Sequence, residues 1–154
     1  MSSLKKSAKF SHLSASGELR MVNVGAKPDQ QRRAVAEGRV RCSRETIALL
    51  KKQALPKGDV LAVARIAGFQ GAKATSTLIP LCHPLPLHHV DLQFVIKADA
   101  VEIRAVTETH GKTGVEMEAL TAVSIAALAI YDMCKAVDKG MVIEGIRVVE
   151  KTKR

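Results

Sequence analysis

The spacing of apolar residues along the chain predicts four strands. Residues 90–96 and 101–106 carry apolar side chains at every second position, which is the period of a strand with one buried face. The connection between them is short enough for a hairpin turn. The segment 32–42 shows the same parity, although Gly38 can break it, and residues 141–149 predict the last strand.

Two helices are predicted between the first and second strands. Ser43 can cap a helix that continues through Leu50, because its side chain can accept a hydrogen bond from a free backbone N–H of the first turn. After a Pro-Lys-Gly turn, Asp59 can cap a second helix in the same way. That helix places five small or apolar residues on one face at helical spacing: Val60, Val63, Ala64, Ala67 and Gly71.

The strongest helix prediction covers residues 114–137, which are rich in Ala and apolar on nearly every side in the middle. A helix of this kind has to be covered all round. One sheet cannot cover every face, so we expect a partner subunit to shield part of the segment 119–130. This segment is too short for the roughly 20 residues that a membrane span needs.

If the two helices between the first and second strands are counted as one helical connection, the predicted order is strand, helix, strand, strand, helix, strand. That order is typical of an α+β, ferredoxin-like fold, with an antiparallel sheet and its helices packed on one face. Residues 1–20 are rich in Ser and Lys and have few apolar anchors, so they predict a mobile basic N-terminal arm. Residues 21–154 are predicted to form a single catalytic domain.

Composition narrows the choice of partners and of compartment. The net charge of +9 favours capture of anions, among which are nucleic acid, acidic lipid and polyphosphate metabolites. The three cysteines, Cys42, Cys82 and Cys134, are odd in number and widely spaced, which indicates a reducing compartment. The N-terminus has no apolar stretch like that of a signal peptide. We therefore expect a soluble, cytoplasmic protein.

A proline-rich loop, residues 80–89, is one candidate for chemistry. Prolines on both sides of Leu81-Cys82-His83 stiffen it, and a rigid loop can hold an imidazole in a fixed position. From spacing alone, a histidine that only hydrogen-bonds a turn is the more frequent case. No CxxC or HxxxH pair occurs, so no metal site is predicted.

The Gly-Lys-Thr-Gly turn at 111–114 resembles part of a phosphate loop, but the glycine that the full motif requires is replaced by Val106. At most a modest anion site at a helix start remains. Glu116 and Glu118 follow in the first turn, where acidic side chains commonly compensate the helix dipole.

Asp132 and Lys135 lie three residues apart, so they share one face of the long predicted helix. A surface ion pair and an acid–base pair at a buried margin fit this spacing equally well. The second interpretation follows from the apolar run that precedes them, because burial allows pKa values to be tuned for proton transfer.

Four long motifs, taken together, resemble the MoaC family, the cyclic pyranopterin monophosphate synthases. In order they are KGDVLAVARIAG (57–68), LIPLCHPL (78–85), GKTGVEMEALTA (111–122) and IYDMCKA (130–136). The resemblance extends from about Phe10 to the C-terminus. It implies a lyase of molybdenum cofactor biosynthesis with a ferredoxin-like fold. It also implies a homohexamer, a trimer of dimers, with the active site near a subunit interface.

By the same resemblance, the substrate is cyclised dihydro-GTP and the products are cyclic pyranopterin monophosphate and pyrophosphate. No cofactor is expected, because the rearrangement involves no net redox change. Asp132 matches the family's catalytic acid/base position, and Lys57 and Lys135 match catalytic lysines. The substrate-contact segments and further pocket positions correspond to Leu81, Cys82, His83, Met117, Glu118, Glu116, Lys73 and Arg32.

Two positions depart from the family pattern. Asn23 stands where the family commonly has Asp, so any carboxylate role there is absent. Gly71 stands where the family often has Ala, which should soften that helix by up to about 1 kcal/mol.

A basic nucleic-acid-binding module is the alternative from another class, since ferredoxin-like sheets can stack bases on strand aromatics. The only aromatic residue of the two hairpin strands is Phe94, and it belongs to the apolar set that should face the core. The sequence therefore favours the enzyme, and we expect its cations to converge on one pocket with Lys57, His83, Asp132 and Lys135. Residues this far apart in sequence can meet only through the fold, either within one chain or across a subunit boundary.

Overall fold

The computed structural model describes residues 11–154. The first ten residues of the predicted arm lie outside this range. Four strands and four helices occur within it, in the order β1 (Gln30–Arg41), α1 (Arg44–Lys51), α2 (Val60–Lys73), α3 (Thr75–Leu78), β2 (His89–Ile96), β3 (Ala100–Gly111), α4 (Glu116–Cys134) and β4 (Val142–Lys153).

The four strands form one antiparallel sheet in the order β2-β3-β1-β4. The two central strands, β3 and β1, are neighbours in the sheet but not consecutive in the chain. This strand order is the ferredoxin-like arrangement predicted from the order of elements. Helices α2 and α4 pack against each other and against the same face of the sheet. The opposite face carries charged side chains, among them the ion-paired Glu37 and Arg104 and the ion-paired Arg39 and Glu144. The predicted α+β fold is confirmed.

The predicted caps are present at the starts of α1 and α2. The Ser43 hydroxyl accepts a hydrogen bond from the backbone N–H of Thr46 at 3.1 Å. The Asp59 carboxylate accepts one from the N–H of Ala62 at 3.0 Å. Each bond satisfies a donor that the first helical turn would otherwise leave free.

Gly71 allows close contact between α2 and α4. A Cβ added at this position would lie 2.7 Å from Cγ1 of Ile125 and 3.2 Å from the carbonyl oxygen of Thr121. The departure from the family's frequent Ala therefore has a packing consequence as well as the propensity cost expected from the sequence.

Helix α4 is the core helix of the domain. Its length and composition would allow it to cross a membrane, but more than half of that stretch is buried inside the protein. The residues that face the sheet and α2, such as Ala122 and Ile130, are fully buried. Leu128 is 53% exposed, and on α2 Val63 and Ile66 are 44% and 56% exposed. Leu128 is the one exposed residue of the segment 119–130, and the expectation that a partner subunit shields part of this segment stays a prediction.

Candidate active site

The three predicted catalytic residues form one cluster at the C-terminal end of α4. The carboxylate of Asp132 accepts from the Lys135 ammonium at 2.7 Å and from the Lys57 ammonium at 3.1 Å. Lys57 comes from the loop between α1 and α2, and it also donates to the backbone carbonyl of Asp132 at 3.0 Å. The fold thus brings together two motifs that are about 75 residues apart in sequence.

The contacts within this cluster favour the charged forms of Asp132 and Lys135. Hydrogen bonds from Lys135 and Lys57 lower the pKa of Asp132, and the bond to Asp132 raises the pKa of Lys135. The side chains are 43 to 57% exposed. The predicted buried margin is therefore wrong for a single chain: the cluster lies at the surface, because α4 ends there and the chain turns away.

A cleft of about 390 Å³ lies at the other end of α4. The proline-rich loop forms one wall, the first turn of α4 a second, and parts of the segment 11–27 a third. Six predicted substrate-contact residues line it together: Leu81, Cys82, His83, Glu116, Met117 and Glu118. The motif in the proline-rich loop and the motif at the start of α4 belong to different elements, and the fold brings them to one concave surface.

Glu118 is the most buried acid of the cleft, with 4% of its surface exposed. Burial raises its pKa, so this carboxyl holds a proton more readily than one in water. Burial, together with the charge of Glu118, also raises the pKa of the Cys82 thiol. A thiol that stays protonated is a poor nucleophile, so Cys82 is suited to lining the cleft and not to covalent attack.

His83 is held by the chain segment that covers the cleft. Its Nε2 lies 2.7 Å from the carbonyl oxygen of Val22. A carbonyl can only accept, so Nε2 carries a proton and donates it. His83 thus hydrogen-bonds the backbone, as the simpler interpretation predicted, and it also lines the cleft. The same segment is tied down by Lys112, whose ammonium donates to the Gly25 carbonyl at 2.6 Å.

The remaining predicted residues lie around this cleft and not inside it. The guanidinium of Arg32 donates to the carbonyls of Gly111 and Lys112, each at 3.5 Å, so it supports the turn that leads into α4. Lys73 lies in a neighbouring cleft. Asn23 accepts from the N–H of Gly25 at 2.8 Å, so the amide that replaces the family's carboxylate shapes a local turn.

Sequence reasoning missed Lys151 of β4, which forms an ion pair with the Glu116 carboxylate. Gly114 leaves the space that this carboxylate occupies, since a Cβ there would overlap it. Lys151 lies outside every motif, so the sequence carries no signal that indicates it.

The cleft and the Asp132 cluster are far apart within one chain. Glu116 and Asp132 lie 16 residues apart on the same helix, and a rise of 1.5 Å per residue separates them by about 24 Å. The expectation that Lys57, His83, Asp132 and Lys135 converge on one pocket is therefore not met within a single chain, because a continuous helix acts as a spacer between them.

Comparison with known proteins agrees with the four motifs. The MoaC family profile matches residues 21–154. The chain belongs to the MoaC family. A cyclic pyranopterin monophosphate synthase of Heliobacterium modesticaldum is 58% identical over 145 residues, 93% of this chain and 91% of that protein. One of Peptoclostridium acidaminophilum is 54% identical over 143 residues, 93% and 91% of the two chains. The family predicted from the sequence is confirmed.

Within residues 11–154, no group of three or more His, Cys, Asp and Glu side chains is arranged to hold a metal ion. Phe94 packs against the core and lies beneath the guanidinium of Arg65, 5.3 Å from its ring centroid. It is therefore not available as a base-stacking platform.

Proposed function

We propose that this protein is a cyclic pyranopterin monophosphate synthase that converts cyclised dihydro-GTP into cyclic pyranopterin monophosphate and pyrophosphate in molybdenum cofactor biosynthesis. The observation that carries the proposal is the cleft at the start of α4, which gathers six residues of the two motifs LCH and EME. Relatives that are 54 to 58% identical over nearly the whole chain carry this activity in their names.

The Asp132 cluster supplies the groups that phosphate displacement needs. An internal hydroxyl of the substrate attacks the α-phosphorus, the bond to the β-phosphate oxygen breaks, and pyrophosphate leaves with the bonding electrons. Lys57 and Lys135 stabilise the negative charge that develops in this step. Asp132, kept ionised by both lysines, accepts the proton of the hydroxyl.

The cleft supplies the groups for the ring rearrangement, which moves protons without net oxidation or reduction. Glu118 is the proton donor, since burial raises its pKa. His83, whose Nε2 carries a proton, donates a hydrogen bond to a substrate oxygen once the Val22 carbonyl has moved away. Leu81, Cys82 and Met117 form the walls.

A complete site requires two chains. One nucleotide cannot contact groups separated by a helix of about 24 Å, so the cleft of one subunit is completed by Lys57, Asp132 and Lys135 of another. The exposed apolar residues Ile66 and Leu128 give the subunits a surface to bury. We infer a homohexamer, a trimer of dimers, from the family resemblance. The free cysteines fit a cytoplasmic enzyme.

The direct test supplies cyclised dihydro-GTP and follows pyrophosphate release and formation of the cyclic monophosphate. We expect equal amounts of both products with no added redox cofactor. Absence of pyrophosphate release from a folded, oligomeric preparation would contradict the proposal.

A further inference from the structure

A short stretch of chain, residues 21–27, lies across the cleft at the start of α4; we call it the cover segment. It forms neither helix nor strand, and its half-buried residues Val22 and Val24 line the cleft. Within the part of the chain that the structure describes, two side chains supply its hydrogen bonds to the rest of the protein. They are those of His83 and Lys112. Side chains, and not a sheet, therefore hold the cover segment in place.

The two hydrogen bonds differ in their relation to the cleft. His83 lines the cleft, and its Nε2 donates to the Val22 carbonyl at 2.7 Å. Lys112 is not among the lining residues, and its ammonium donates to the Gly25 carbonyl at 2.6 Å. Under the proposed function, the first bond has to be exchanged for one to the substrate, whereas the second can stay in place.

The turn that carries Lys112 is anchored to the sheet. Arg32 of β1 donates to the carbonyls of Gly111 and Lys112, each at 3.5 Å, and the turn joins β3 to α4. The other residues of the Gly-Lys-Thr-Gly motif, Thr113 and Gly114, do line the cleft. The lysine of this motif is thus bonded to a backbone carbonyl of the cover segment, and the anchored turn gives that bond a fixed origin.

Gly25 is suited to act as the pivot of the cover segment. A Cβ at this position would lie 3.1 Å from the side-chain oxygen of Asn23, which accepts from the Gly25 N–H at 2.8 Å. Backbone without a side chain can change its dihedral angles at low steric cost. Rotation here can move the Val22 carbonyl away from His83 while the bond to Lys112 remains.

We propose that Lys112 is a positioning residue that holds the cover segment at Gly25 and makes it a lid, which opens at Val22 to admit the substrate and stays attached during turnover. The inference rests on the proposed function. It gives the Gly-Lys-Thr-Gly motif a purpose other than anion binding, because Lys112 acts through the cover segment and does not contact the substrate. A lid of this kind retains the substrate and excludes water from the cleft.

The test compares the wild type with Lys112→Met, which removes the donor at similar side-chain length, and with Lys112→Arg, which keeps a donor. Lys97→Met is the matched control, because Lys97 is a surface lysine that pairs with Glu102 at 3.4 Å and does not line the cleft. Amide hydrogen exchange of the cover segment is measured without substrate, since the N–H groups of Gly25 and Lys27 are hydrogen-bonded within it. Values of kcat and KM for cyclised dihydro-GTP are measured on the same preparations.

Loss of one charge-assisted hydrogen bond should raise both the exchange rate of the cover segment and KM about fivefold or more in Lys112→Met. We expect kcat to stay within about twofold and exchange in the proline-rich loop to stay unchanged. Lys112→Arg and Lys97→Met should resemble the wild type.

The proposal requires both changes together. Faster exchange without a rise in KM would overturn it, as would no change in either quantity. A rise in KM without faster exchange would also overturn it, because that result is expected of a lysine that binds the substrate itself. If the wild type shows no turnover, the proposed function fails, and the exchange rates still decide whether Lys112 holds the cover segment.

Discussion

Asp138 connects the end of α4 to the start of α1, and its removal should destabilise the protein. The carboxylate is 8% exposed. One oxygen accepts from the Ser43 N–H at 2.7 Å and from the Thr46 hydroxyl at 3.1 Å, and the other accepts from the Gly140 N–H at 3.0 Å. In Asp138→Asn, the new amide donor must face one of these donors, so at least one part-buried N–H loses its acceptor.

An unsatisfied part-buried donor, together with loss of the charge that strengthens the remaining hydrogen bonds, should cost about 2–4 kcal/mol. For a domain of this size, each kcal/mol lowers Tm by about 2–4 °C. We therefore expect Tm to fall by roughly 5–15 °C at neutral pH and fixed protein concentration. Asp29→Asn is the control, because Asp29 is exposed, and it should change Tm by less than about 2 °C.

The direction of the Asp138 pKa shift determines how the stability difference between wild type and Asp138→Asn changes with pH. Burial opposes ionisation of Asp138, but the hydrogen bonds from Ser43, Gly140 and Thr46 outweigh it and lower the pKa. A lowered folded-state pKa stabilises the protein fully above the unfolded value of about 3.9 and progressively less as the pH falls through the folded value. The gap between wild type and Asp138→Asn should be constant from about pH 5 to 8 and shrink below about pH 4. A gap under about 0.5 kcal/mol at pH 7, or one that grows on acidification, would refute the reasoning.

Three further predictions follow from the site and the packing. Asp132→Asn and Lys135→Ala should each fold and assemble but lose turnover by at least about a hundredfold; near-normal pyrophosphate release would remove that residue from the mechanism. Gly71→Ala should lower the free energy of unfolding by about 1 kcal/mol in denaturant titration, because crowding against Cγ1 and Cβ of Ile125 exceeds the gain in helix propensity. In an Ile125→Ala background, which lacks Cγ1, the same change should cost less. Light scattering at micromolar concentration should show an oligomer; a monodisperse monomer would contradict the role of the exposed Leu128 surface.

The sequence predicted the elements well and their ends less well, for identifiable reasons. Strand β3 continues to Gly111, beyond the apolar alternation at 101–106 and the predicted end at Glu108, because Thr107 and Thr109 continue the buried face. Their hydroxyls bond to the carbonyls of Val115 and Pro86, so polar residues fill core positions that an apolar pattern does not count. Strand β4 continues to Lys153 as a largely exposed edge strand, where the alternation ends but the hydrogen bonds to β1 continue.

The residues of the candidate site could be named from the motifs, but their grouping could not. The family resemblance identified Asp132 and His83, yet it did not show that they belong to separate clusters. The separation was already implicit in the prediction, since Glu116 and Asp132 were both placed on one helix. The ion pair of Lys151 with Glu116 could not be predicted, because it depends on how the edge strand lies against α4.

A site built from two chains can be tested most directly by mixing inactive variants. Asp132→Asn removes the carboxylate of the cluster at the end of α4, and Glu118→Gln removes the buried acid of the cleft. If each site takes its cleft from one subunit and its cluster from another, random co-assembly of equal amounts should restore about a quarter of wild-type turnover. A mixture of His83→Ala with Glu118→Gln, two cleft variants, is the control and should stay inactive. Turnover in the first mixture that does not exceed that of the control would contradict the two-chain site.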